Sequence, residues 1–177
     1  MSFVRILSVC CVFALFTACG GSSTSPTQTT TTKVATCSGG NKGSVVARIN
    51  GAAWTSTCVS TASYINNIFS LGATDGTQTI GLGLSFVGFG DYSMTPIDPQ
   101  NPPHSLMLAN GLVNLLPNAA AAWSASVATP DSSGILTLTG ISATGATGTF
   151  SFTGVAVSGT GASGIKTVTN GGFNVTF

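Results

Sequence analysis

The chain is expected to fold as an all-β domain: an antiparallel β-sandwich or a small closed β-barrel of about eight to ten strands, following a signal peptide and a flexible tether. Three observations predict this. Apolar residues recur with period 2 over most of residues 44–177, the spacing that puts alternate side chains on one face of a strand. Turn dipeptides such as Asn50-Gly51 and Asp75-Gly76 separate those runs at regular intervals. No stretch reads convincingly as a helix.

The elements follow in order. From Ser44, Val45, Ala47 and Ile49 point one way and Val46, Arg48 and Asn50 the other. Asn50-Gly51 then turns the chain towards Trp54, which makes a first hairpin. Ile65, Asn67, Phe69 and Leu71 alternate more weakly and end at Asp75-Gly76. The clearest strand is Thr79–Val87, with Ile80, Leu82, Leu84 and Phe86 on one face and Gly81, Gly83 and Ser85 on the other. Glycines on one face admit a close neighbour, and close packing is the commoner reason for them. Gly88 to Pro103 is the least regular part. Pro96, Pro99, Pro102 and Pro103 remove ladder donors, so its later portion reads as a long, stiff loop.

Strands resume at His104–Asn110 and near Leu112–Leu115. Ala119–Ala122 suits a helical turn, but Trp123, Ala125 and Val127 alternate with Ser124 and Ser126, which argues for a strand. After a turn at Asp131–Gly134, Leu136 and Leu138 alternate with threonines. Phe150 and Phe152 then alternate with Thr149, Ser151 and Thr153, and Gly159–Gly164 is a loop. Asn170-Gly171-Gly172 reads as a turn into a last strand in which Phe173, Val175 and Phe177 share a face. An eight-stranded membrane barrel needs strands of about 9–11 residues, and most runs here are shorter and broken by glycine.

Before that domain lie two segments of different character. Arg5 precedes an apolar run, Ile6 to Phe16, of signal-peptide length and too short to span a bilayer as a free helix. Small residues, Thr17 and Ala18, then precede Cys19. Together, residues 1–21 resemble a bacterial lipoprotein signal, with Leu15-Phe16-Thr17-Ala18-Cys19 similar to a lipobox and Phe16 where leucine is commonest. The resemblance implies removal of residues 1–18, lipidation of Cys19 by acyl chains that anchor it stably, and, with Gly20 following, passage to the outer membrane of a two-membrane cell. The alternative is an ordinary signal peptide cut near Ala18, with Cys19 incidental. Residues 20–36, rich in threonine and serine and nearly free of large apolar side chains, form the expected tether, leaving residues 37–177 as the β domain.

With Cys19 lipidated, Cys37 and Cys58 remain as a pair in an oxidising compartment. A structural disulfide is the favoured reading. A metal or redox pair lacks support, because there is no Cys-x-x-Cys and His104 is the only histidine. The domain also carries a second resemblance. Ile49-Asn50-Gly51-Ala52-Ala53-Trp54 is similar to an Ile-Asn-Gly-x-x-Trp opening. Gly148-Thr149-Phe150-Ser151-Phe152 with Asn170-Gly171-Gly172-Phe173-Asn174-Val175 is similar to a Gly-Thr-Phe-x-Phe … Asn-Gly-x-Phe-x-Val ending. These motifs resemble an uncharacterised family of small bacterial lipoproteins with all-β domains, which implies the fold and the anchor but no activity.

Composition narrows the function. Past residue 18, Lys33, Lys42, Arg48 and Lys166 balance Asp75, Asp91, Asp98 and Asp131, and no glutamate occurs. So few cations cannot make the basic footprint that nucleic-acid binding needs. Catalytic sets are sparse. The Gly-x-Ser-x-Gly elbow is absent, His104 after two prolines reads as a loop-edge residue, and Asp75, Asp91 and Asp131 stand where turns favour aspartate. Zinc lacks ligands, calcium lacks carboxylates, and no cofactor is expected. Trp54 and Trp123 read as core residues. Tyr92, Asn101 and His104, in or beside the irregular loop, are the candidate binding residues, with Tyr92 the expected exposed aromatic. The expected function is a non-enzymatic, lipid-anchored envelope protein whose domain binds a protein or polysaccharide partner. The alternatives are an assembly lipoprotein of an outer-membrane complex and, last, a small hydrolase.

Overall fold

The computed structural model describes residues 37, 40–96, 107–116 and 120–177. Every regular element among them is a β-strand. In chain order these are β1 (Gly43–Ile49), β2 (Ala52–Thr55), β3 (Cys58–Ile65), β4 (Ile68–Thr74), β5 (Gln78–Ser85), β6 (Gly90–Ser93), β7 (Ala109–Leu115), β8 (Ala121–Ser126), β9 (Ser133–Ile141), β10 (Gly145–Ala156) and β11 (Ile165–Thr176).

Nine strands make one curled antiparallel sheet in the order β2-β1-β11-β10-β8-β7-β5-β4-β3, a half-barrel about a single core. The sheet forks at β10, whose length allows it two neighbours on one edge. Ala146–Thr153 pair with β9, Val155 and Ala156 pair with β8, and β6 pairs with β9. The curl brings β3 back to the residues before β1, where the Lys42 amide donates to the Val59 carbonyl at 3.3 Å and the Val59 amide donates to Asn41 Oδ1 at 3.0 Å.

The inward face is the one the alternation predicts. Val45, Ala47 and Ile49 of β1, Ile80, Leu82 and Leu84 of β5, and Leu136 and Leu138 of β9 are all buried. Serine, threonine and asparagine take most of the outward positions of β10 and β11. This polarity is the inverse of a membrane barrel, whose outer surface is apolar and whose lumen is polar. Trp54 and Trp123 are buried, as expected of core residues.

Aromatic rings fill the centre by lying over glycines. Phe150 is paired across the ladder with Gly171, and Phe173 with Gly148. A Cβ at Gly171 would fall 2.6 Å from the Phe150 ring, and one at Gly148 would fall 2.6 Å from the Phe173 ring. The missing side chains therefore make room for the rings, and Phe173 stacks on Phe69 from the far side of the sheet with centroids 5.5 Å apart. On β5 the glycines face outward. Neighbouring side chains, Leu112 beside Gly81 and Asn110 beside Gly83, approach them in place of a facing sheet.

Three expectations are corrected. Asn170-Gly171-Gly172 does not turn. It lies inside the single long strand β11, where two residues, Thr169 and Asn170, oppose Ser151 alone. Asn170 has φ +51°, so this is a β-bulge with a left-handed residue, a geometry that asparagine and glycine tolerate as readily in a bulge as in a turn. The extra residue resets the phase: Lys166 and Val168 face inward before it, Gly171, Phe173 and Val175 after it. Second, Ile65–Leu71 is not one strand. Asn66 and Asn67, at φ +52° and +61°, form a tight turn between β3 and β4. Third, the irregular stretch from Gly88 contains a strand, β6, held to β9. Among the described residues β3 and β6 add to the strands read from the sequence, and Asn110 and Leu112–Leu115 belong to the one strand β7.

Candidate functional site

The structure brings one predicted pair together. Cys37 and Cys58 form a disulfide with Cα atoms 5.4 Å apart, 21 residues apart in the chain. Cys58 is buried at the start of β3, so the bond pins the entry of the domain to the strand that meets β1. Cys19, Asn101 and His104, with the signal and tether segments, lie outside the described residues.

Tyr92 corrects its expectation. It is fully buried, with no accessible surface. Period 2 along β6 turns it inward, and its hydroxyl finds partners in the preceding loop. It donates to the Gly88 carbonyl at 2.5 Å and accepts from the Val87 and Gly88 amides at 3.2 and 3.3 Å. A hydroxyl has one donor and two acceptor sites, and all three are used. Tyr92 is thus a strut under the β5–β6 loop with no ring face left for stacking. Trp123 is committed likewise: its indole N–H donates to the Ser163 carbonyl at 3.2 Å. The buried Trp54 indole N–H has no hydrogen-bond partner among the described residues.

The described aspartates, Asp75, Asp91 and Asp131, serve the fold. Asp75 Oδ1 accepts from the Thr77 amide, the Thr77 hydroxyl and the Gln78 amide, at 2.7, 2.8 and 2.7 Å. Partial burial pushes its pKa up, but these hydrogen bonds outweigh burial and leave it below the ordinary carboxylate value. Asp91 Oδ1 accepts from the Thr137 hydroxyl across β6–β9 at 2.6 Å, and Asp131 holds a turn at φ +60°. Lys166 is the buried cation. Its ammonium lies 4.0 Å from the Trp123 ring centroid and donates to Gln78 Oε1 at 3.3 Å. Burial lowers its pKa, because the charged form loses water. Period 2 along β11 buries Lys166 together with Val168.

Two surface features remain. A shallow groove of about 430 Å³ lies where the β9–β10 turn meets the end of β11. Ser142, Thr144, Thr147, Asn174 and Thr176 line it with hydroxyl and amide groups, and no aromatic ring borders it. The second is an apolar rim missed by the sequence reading. Ile65 and Ile68 flank the Asn66-Asn67 turn, and Val87 and Phe89 flank Gly88; they are 66%, 53%, 68% and 62% exposed. The two segments belong together. Ile68 pairs with Ser85, the Phe86 amide donates to the Asn67 carbonyl at 2.6 Å, and Phe86 packs edge-on against both Tyr64 and Phe89. The signal in the sequence is large apolar side chains beside tight turns.

Among the described residues, no group of three or more His, Cys, Asp or Glu is arranged to hold a metal ion. No helix among them is long and apolar enough to cross a membrane. The fold and these features define an all-β domain with a curled antiparallel sheet, a disulfide at its entry and one apolar rim. No family model matches the chain, and no curated protein or solved structure is significantly similar to it.

Proposed function

We propose that the protein is a lipid-anchored protein of the bacterial envelope, carried by Cys19 in the outer membrane, whose β domain is a non-enzymatic binding module. One observation carries the reading: a cation, an apolar run, two small residues and a cysteine fall in order at Arg5, Ile6–Phe16, Thr17-Ala18 and Cys19. The Cys37–Cys58 bond supports an oxidising compartment. The hydrogen bonds of Asp75 and Asp91 give those carboxylates structural work. Of the two partner classes, a protein is favoured over a polysaccharide, because Tyr92, Trp54 and Trp123 are buried and present no flat ring to a sugar.

The test has two parts. Metabolic labelling with palmitate should mark the wild-type protein and leave Cys19→Ala unlabelled; equal labelling would refute the anchor. In-cell crosslinking of the tagged lipoprotein should capture one dominant protein partner that is lost with Cys19→Ala. Polysaccharide carried along in place of protein would overturn the partner class.

A further inference from the structure

We infer that the rim formed by Ile65, Ile68, Val87 and Phe89 is a second membrane contact: it seats in the lipid surface to which Cys19 anchors the chain. The inference rests on the lipid anchor proposed above. Three observations point to a bilayer as the occupant.

The first is chemistry. Four large apolar side chains, each more than half exposed, come from two adjacent segments that contain no charged residue, 63–70 and 85–90. An exposed apolar cluster of this kind marks an interaction surface, and one without ionic groups can enter the acyl boundary without burying a charge.

The second is rigidity. The three hydrogen bonds to the Tyr92 hydroxyl fix Val87 and Gly88, and Phe89 is held against Phe86. The rings and branched chains are thus presented outward by a braced loop, and they cannot fold back over the core, which Tyr92 and Phe69 already fill.

The third is reach. Cys37 is tied to Cys58 at the first residue of β3, and Ile65 is its last. Eight residues of strand put the rim about 20 Å from the tether's attachment. The eighteen residues 19–36 span at most about 60 Å when fully extended. A lipid on Cys19 therefore reaches the bilayer in which the rim is seated. Anchor and rim then make two attachments, and the domain lies against the membrane in one orientation.

The experiment uses the full lipidated protein reconstituted in vesicles of phosphatidylethanolamine and phosphatidylglycerol, with and without brominated acyl chains. Phe89→Trp places an indole on the rim, and Val87→Trp is the second variant should the first fail to fold. Ile165→Trp places one at an exposed position at the opposite end of β11 from Phe177, which packs beside Tyr64. The buried Trp54 and Trp123 give the background. The expected result is a blue shift of the rim indole on reconstitution and loss of its emission with brominated lipid, with neither change at Ile165→Trp. Flotation of the vesicles reports on the anchor separately. Protein that floats with an unquenched rim indole overturns the inference and leaves the anchor standing. A blue shift without quenching, as a partner protein or a second copy would cause, also overturns it, as does equal quenching at both positions. Lipidated protein that fails to float overturns the anchor and the inference together.

Discussion

Tyr92 shows how one hydroxyl can decide the shape of a surface. Its three hydrogen bonds support the Val87–Gly88 backbone. Tyr92→Phe keeps the ring in the core and strands those groups, so it should lower stability by about 1–3 kcal/mol, read as a shift of the urea midpoint. An unchanged midpoint would remove the strut. Asp75 acts on the β4–β5 turn through charge. Its pKa is lowered on folding from an ordinary value of 3.8, so the folded state binds fewer protons than the unfolded state as acid is added. Its contribution is present above that ordinary value and is lost as pH falls through the lower folded one. Asp75→Asn should flatten this acid limb of the stability profile. A limb of unchanged slope in pH-dependent denaturation would assign it to other groups.

At the scale of the element, the bulge in β11 holds the two halves of the strand in phase. In a regular strand of the same residues, the inward set before Asn170 (Lys166, Val168) and the set after it (Gly171, Phe173, Val175) would lie on opposite faces. Deleting Asn170 leaves one residue opposite Ser151 and spaces Val168 and Gly171 by two, so Phe173 and Val175 should stay inward and unfolding should remain cooperative, followed by near-UV circular dichroism. Asn170→Gly should be tolerated to within about 1 kcal/mol, because glycine adopts φ +51° without strain. A deletion that loses the near-UV signal would mean that the bulge does more than set the phase of the two halves. The same pairing explains why a local reading took Asn170-Gly171 for a turn. The dipeptide satisfies either geometry, and the ladder partners of the residues that follow, Phe150 opposite Gly171 and Val46 opposite Gly172, keep the strand running on.

The described residues form a sheet curled until β1 and β3 meet, and the disulfide lies beside that meeting. Replacing Cys37 and Cys58 together with serine should cost about 3 kcal/mol by freeing the loop in the unfolded chain, measured by urea denaturation. Non-reducing peptide mapping should show the 37–58 linkage in the native protein, and free thiols at both positions would refute it. The all-β class, the inward face of β1, β5, β9 and β10, the Asn50-Gly51 turn and the burial of both tryptophans were legible in the sequence, because period-2 alternation and left-handed turn residues act within a few positions of one another. The burial of Tyr92, the bulge in β11 and the rim were not. Each depends on a partner far along the chain: β9 for Tyr92, Phe150 for Gly171, and Ser85 for Ile68. Local spacing fixes which side chains share a face, whereas the register between distant strands decides whether that face meets core, neighbour or surroundings.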